Sequence, residues 1–136
     1  KVLNNRIESL NNSNIILKGT LDRELIVQQY LQADFLLFPS IREGLPNVVL
    51  ESMAFGLPVI ANHILGVTDY LLGDNERGIT IKNNSLDEWN NIIIKIIEKE
   101  IDLEKQRYNA FNWIKDNASS CVVSEKIENI YFKLLE

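Results

Sequence analysis

Two glutamates, Glu43 and Glu51, stand with seven residues between them, one just before and one inside a run, Pro46 to Phe55, that reads as a helix. Gly44 lets the backbone come close to a ligand or take a positive φ. Pro46 suits a first helical turn, where a missing N–H costs nothing. The unpaired N–H groups of such a helix belong to residues around Gly44, Leu45, Asn47 and Val48, and they carry the positive pole of the helix dipole. That is an anion site, best filled by a phosphate or pyrophosphate. At a rise of ~1.5 Å per residue, Glu51 lies roughly 6–8 Å along the axis from it. A carboxylate only accepts hydrogen bonds and can take two O–H donors, which matches a vicinal diol. A sugar linked to a nucleoside diphosphate offers groups in this order: sugar hydroxyls for Glu43, phosphates for the helix end, ribose hydroxyls for Glu51.

Plainer readings compete. Ser40-Ile-Arg-Glu43 also spells a capping box, which would reduce Glu43 to a cap on a helix starting at Ile41. Gly44 and Pro46 would then fall inside that helix, where proline costs ~3 kcal/mol. Glu51 could be a solvated helix residue, the usual place for glutamate, although Val48, Val49, Leu50, Met53, Ala54 and Phe55 make most of its helix apolar. Spacing alone leaves both readings open.

The elements that would position these residues alternate strand and helix. Asn14–Lys18, closed by Gly19, reads as a buried strand. Asp22 caps an amphipathic helix with Leu25, Ile26, Gln29, Tyr30 and Ala33 at helical spacing. Asp34–Pro39 is a second strand, apolar on both faces, and Pro58–Ala61 a third. The intervening helix is stopped by Gly56, with Pro58 beyond it. A short helix near Thr68–Leu72 and a strand at Gly78–Ile81 follow. Ser85-Leu-Asp-Glu88 is a capping box that opens a helix striped by Leu86, Trp89, Ile92, Ile93, Ile96 and Ile97. Helices at about Leu103–Asp116 and Ser120–Leu135 complete the chain. This order predicts an α/β fold, a Rossmann-like doubly wound parallel sheet with helices on both faces. Ligands of such sheets bind beyond the carboxyl ends of the strands. The loops to search are therefore Lys18–Leu21, Pro39–Pro46 and Asn62–Thr68.

The 136 residues suit a single domain, and the polar opening Lys1–Asn5 reads as the cut edge of a longer protein. Hydrophobic residues make up 46 % and charged residues 24 %, the balance of a soluble globular protein. No run approaches the roughly 20 apolar residues of a membrane span, and no signal-peptide pattern opens the chain. A net charge of −5 lacks the electrostatic footprint of a nucleic-acid binder. One cysteine, Cys121, and one histidine, His63, make neither an internal disulfide nor a zinc set. A reducing, cytoplasmic setting is expected. His63 reads as an ordinary loop histidine rather than a sugar contact.

The stretch from Ala33 to Ala61 resembles the C-terminal domain of retaining GT-B glycosyltransferases of family 4, or "group 1". Their signature is an acidic residue, seven residues and a second Glu (EX7E), then a small-Met-Ala-x-Gly-x-Pro-Val-Ile run; here Glu43, Glu51 and Ser52-Met-Ala-Phe-Gly-Leu-Pro-Val-Ile60 match it. Lys18-Gly19 resembles the strand end whose loop holds the nucleotide base. Gly66-Val-Thr-Asp69 resembles the family's Gly-x-x-Glu turn, with Asp in place of Glu. The resemblance implies a UDP-, GDP- or ADP-sugar donor, no cofactor, no metal, and transfer with retention to a glycan or lipid-linked acceptor, as in surface polysaccharide biosynthesis. It assigns Glu43 as catalytic and Ser40, Gly44, Leu45, Asn47, Val48 and Glu51 as donor-binding, with Gly19 and Thr20 at the base. No Asp-x-Asp pair of the metal-dependent kind occurs, and Asp74-Asn-Glu76 reads as a surface turn.

Residues 1–136 would then be the donor-binding half of a GT-B fold, lacking its first βα unit, with its Arg and Lys, and the acceptor-binding N-terminal domain. Alone, the piece is expected to bind donor weakly and transfer nothing. Any association with the inner membrane face would come through the missing half. The stripe Ile127, Ile130, Tyr131 and Leu134 reads as core or interdomain packing, and part of it is expected to be bare, because the family's last helix crosses back toward the N-terminal domain. Two alternatives remain: a nucleotide-sugar 2-epimerase of the same fold, for which further carboxylates at the crevice are missing, and a non-catalytic sugar-nucleotide-binding module. A dinucleotide-binding domain fails for want of Gly-x-Gly-x-x-Gly after a strand.

Overall fold

A computed structural model describes residues 14–135; the polar opening at Lys1–Asn5 lies outside them. Helix α1, Arg23–Gln32, starts where Asp22 Oδ1 accepts from the Leu25 N–H at 2.9 Å. The chain continues through β1 (Leu36–Phe38), α2 (Asn47–Ala54), β2 (Val59–Asn62), α3 (Thr68–Leu72), β3 (Ile79–Ile81), α4 (Leu86–Ile97), α5 (Glu104–Asn117) and α6 (Ser120–Leu135). The three strands are parallel in the order β1-β2-β3, with Leu36 opposite Val59 and Ile60 opposite Ile79.

Alternation along the strands gives the sheet two apolar faces, and helices cover both. Val59 and Ala61, with Leu36 and Phe38 beside them, pack against Val49 and Met53 of α2, Leu71 and Leu72 of α3, and Ala110 of α5. Ile60, Ile79 and Ile81 face the other way, onto Trp89, Ile92, Ile93 and Ile96 of α4. The fold is the expected Rossmann-like α/β half. Parallel strands joined by helices bring all the strand carboxyl ends, and therefore the loops after β1, β2 and β3, to one edge of the sheet.

Sequence and structure part in a few places. Asn14–Lys18 is not a strand: no strand of the described residues pairs with it, and Ile15, Ile16 and Leu17 are exposed. Local β-propensity records side-chain shape, but a strand also needs a neighbour to take its hydrogen bonds. Only half of the capping box at Ser85 forms. Ser85 Oγ accepts from the Glu88 N–H at 3.1 Å, while the Glu88 carboxylate turns to the Lys82 and Asn83 amides at 3.2 and 3.0 Å. The turn before β3 is as tight as its sequence implies. Asp74 and Asn75 take φ of 46° and 70°, and the Asn75 side chain accepts from the Thr80 N–H at 2.8 Å. A Cβ on Gly78 would stand 2.7 Å from the Val59 carbonyl oxygen, so β3 can enter beside β2 only with glycine there. On α6, Ile127, Ile130, Tyr131 and Leu134 are exposed. No helix of the described residues is long and apolar enough to cross a membrane.

Candidate functional site

The β1–α2 loop leaves the carboxyl end of the sheet at Pro39 and is tied down at once. Asn62, buried at the end of β2, donates through Nδ2 to the Pro39 carbonyl at 2.8 Å. The same amide accepts from the Trp89 indole N–H at 3.1 Å through Oδ1. Thr68 Oγ1 donates to the Asn62 carbonyl at 2.6 Å and accepts from the Ile64 N–H at 2.7 Å, which closes the loop after β2 onto the same point. One asparagine thus joins two of the three loops expected to hold a ligand.

Residues 40–46 are not helical, so the capping-box alternative for Ser40 and Glu43 fails. The two side chains do meet, but with each other: Ser40 Oγ donates to Glu43 Oε1 at 2.7 Å. Glu43 is exposed and held by that bond before the helix starts. Gly44 does not take a positive φ, and a Cβ there would meet nothing within 4 Å. Of its two sequence readings only the open approach remains. Pro46 is the cap of α2 rather than its first helical residue, with ψ at 94° and its carbonyl accepting from Val49 at 3.0 Å. A proline in extended backbone can end the loop without entering the helix, which shifts the start by one residue. No side chain caps α2, and its first turn carries no acid. The amides of Asn47 and Val48 therefore open the helix with its positive pole uncovered.

Glu51 sits in the second turn of α2. Although the residue is exposed, its Oε2 accepts from the Tyr30 hydroxyl at 2.8 Å. Tyr30 is buried and its ring stacks on Phe55 with centroids 5.6 Å apart and planes 20° from parallel. Burial, then the hydrogen bond to Glu51 and the charge of that carboxylate, push the Tyr30 hydroxyl up to about 12. Arg23, Ile26 and Val27 of α1 join Tyr30, Glu51 and Phe55 around a groove of about 270 Å³. Sequence spacing placed Tyr30 on the packing stripe of α1 and missed this bond. The signal was a tyrosine on an apolar stripe, since a buried hydroxyl needs a partner.

Gly19 and Thr20 are exposed ahead of α1, Gly19 at φ +66°. No hydrogen bond joins them to the β1–α2 loop. His63 is exposed and its main-chain N–H donates to the Ile81 carbonyl at 2.9 Å. Asp69 turns back on its own turn, Oδ1 accepting from the Tyr70 N–H at 2.7 Å. Burial by itself would raise the Asp69 carboxyl, but the backbone amides of Gly66, Tyr70 and Val67 and the charge of His63 outweigh it and hold it below its usual value. A polar cavity of about 480 Å³ between the α3–β3 turn and α5 lies by the amino ends of the strands, opposite this edge. Asp74 and Glu76 line that cavity, far from the open end of α2.

The sequence profile of the family described as "Glycosyl transferases group 1" matches residues 1–113. The chain is 27 % identical over 107 residues to the capsular polysaccharide biosynthesis glycosyltransferase CapM of Staphylococcus aureus, covering 79 % of this chain and 28 % of that protein. It is 26 % identical over 103 residues to the UDP-Gal:alpha-D-GlcNAc-diphosphoundecaprenol alpha-1,3-galactosyltransferase of Escherichia coli, covering 76 % and 26 %. It is 30 % identical over 107 residues to an uncharacterized glycosyltransferase of Methanocaldococcus jannaschii, covering 78 % and 27 %. The chain spans about a quarter of the length of these relatives.

Proposed function

The chain belongs to the group 1 glycosyl transferases, and from that premise we propose that it is the donor-binding part of an enzyme moving a hexosyl group from a nucleoside diphosphate-sugar to a glycan or lipid-linked acceptor. The observation that carries this reading is the uncapped start of α2 with one restrained carboxylate on either side, Glu43 held by Ser40 and Glu51 held by Tyr30. The diphosphate sits against the amides of Gly44, Leu45, Asn47 and Val48. Glu51 accepts from the ribose hydroxyls and Glu43 from the hexose, with Ser40 behind it and the base toward Gly19 and Thr20.

In the reaction the bond from the anomeric carbon to the diphosphate oxygen breaks. A bond to an acceptor hydroxyl oxygen forms on the same face, and the acceptor proton leaves with the diphosphate. Negative charge grows on the departing phosphate, where the helix amides already point, so they hold the transition state more tightly than the ground state. In this reading those amides share the phosphate charge with the Arg and Lys of the βα unit outside this chain, and no metal is needed. The names of two relatives, one from capsular polysaccharide biosynthesis and one with a diphosphoundecaprenol-linked acceptor, support assembly of surface glycans. The acceptor then meets a domain outside this chain, through which the enzyme touches the cytoplasmic face of a membrane.

Thermal shift of the full-length protein with a panel of UDP-, GDP- and ADP-sugars identifies the donor, and product analysis with an acceptor mixture gives the reaction. We expect stabilisation by one nucleotide class and an α-linked product from an α-linked donor. Binding without turnover would leave a sugar-nucleotide-binding module, and a donor recovered with inverted C2 would leave an epimerase.

A further inference from the structure

We propose that Tyr30 is a positioning residue for nucleotide recognition, holding the Glu51 carboxylate ready to accept from the two ribose hydroxyls of the donor. The inference rests on the assignment of Glu51 to the ribose in the proposed function. Glu51 is exposed on α2 and has three rotatable side-chain bonds, so an unheld carboxylate would spread over many rotamers and lose that freedom only on binding. Tyr30 removes most of that spread beforehand. Its ring is fixed by burial and by stacking on Phe55, one turn of α2 beyond Glu51. From that fixed ring the hydroxyl reaches Glu51 Oε2 at 2.8 Å.

The bond leaves the carboxylate able to do more. An ionised carboxylate offers about four lone-pair positions, and one tyrosine donor leaves room for a pair of O–H donors. The tyrosine keeps its proton at any ordinary pH, so it acts as a donor toward Glu51 and never as a competing anion. Position along the helix fits as well. Arg23, Ile26, Val27 and Tyr30 recur at helical spacing on one side of α1 and line the groove that Glu51 and Phe55 close from α2. Helix α1 thereby acts as a wall of the nucleotide site, a role that the acidic spacing in the β1–α2 segment does not disclose.

The test compares UDP, GDP and ADP with their 2′,3′-dideoxy counterparts, titrated by calorimetry into the full-length protein and its variants. The wild type should prefer the ribonucleotide, and Glu51→Ala should erase the preference. Tyr30→Phe keeps the ring on Phe55 and removes only the hydroxyl. It should weaken the ribonucleotide by roughly threefold to tenfold, the range of one hydrogen bond, and leave the dideoxy compound within about twofold. Adding Tyr30→Phe to Glu51→Ala should cost nothing further, since the two act through one contact. Equal losses for both ligands in Tyr30→Phe, as packing damage would give, would overturn the positioning role, and so would no loss at all. If Glu51→Ala keeps the ribose preference, or no nucleotide binds, the ribose assignment itself falls and takes this inference with it.

Discussion

The indole N–H of Trp89 donates to Asn62 Oδ1 across 3.1 Å, and both residues are buried. Asn62 Nδ2 in turn reaches the Pro39 carbonyl at 2.8 Å. A helix on one face of the sheet is thus coupled, through a single amide at the end of β2, to the first residue of the loop carrying Ser40 and Glu43. Replacing Asn62 by Ala leaves a buried, unpaired donor on Trp89 and releases the carbonyl of Pro39, an exposed residue, to water. At about 1–3 kcal/mol for a buried unpaired group, Asn62→Ala should cost about 1–3 kcal/mol of stability. Urea unfolding followed by tryptophan fluorescence checks this, and a change under about 0.5 kcal/mol would mean that water replaces the amide.

Much of this arrangement is legible in the sequence because it is local. Asp22 at the head of α1, Gly56 and Pro58 after α2, and the Glu43–Glu51 spacing each act over a few residues, where helix geometry decides the outcome. What escapes is set by partners far along the chain. Asn14–Lys18 has the composition of a strand but, among the described residues, no strand beside it. Tyr30 has the spacing of a core residue, and its bond to Glu51 spans 21 positions. Asn62 extends the apolar run of β2 by one polar residue, a faint sign that a strand end is being used for hydrogen bonding.

The two glutamates should fail in different ways when removed from the full-length enzyme. Ribose hydroxyls remain in a free nucleoside diphosphate and the hexose does not. Glu51→Ala should therefore weaken the free diphosphate about tenfold or more, the size of a hydrogen bond to a charged group. Glu43→Ala should lower transfer by about a hundredfold while leaving that affinity nearly intact. Calorimetry with the diphosphate and initial rates with the donor separate the two. Parallel losses in both measurements for both variants would remove the division of labour.

Excess EDTA should leave the transfer rate of the full-length enzyme unchanged. The closely spaced acids Asp74 and Glu76 belong to the turn before β3, at the amino ends of the strands. A cation held there would be on the wrong side of the sheet from the uncapped start of α2. In the proposed site, phosphate charge at that start would meet main-chain N–H groups instead. Loss of activity on chelation, restored by a divalent ion, would show that the phosphates are neutralised by metal.

Alkaline pH offers a readout of the Tyr30–Glu51 bond that needs no ligand. The Tyr30 hydroxyl is pushed from 10.0 up to about 12 in the folded chain, first by burial and then by the Glu51 carboxylate that accepts its hydrogen bond. Below pH 10 both folded and unfolded chains keep this proton, and the group adds no pH dependence. Between about pH 10 and 12 the unfolded chain releases it while the folded chain holds it, so the unfolded state binds fewer protons and stability falls as pH rises. Tyr30→Phe lacks the group and should lose stability less steeply over that window. Urea midpoints measured in steps from pH 9 to about pH 12 should show the wild-type advantage shrinking. Tyr70, Tyr108 and Tyr131 are present in both proteins and cancel in the difference. Parallel curves would mean that the hydroxyl titrates like a free phenol, and therefore that it does not hold the carboxylate in solution.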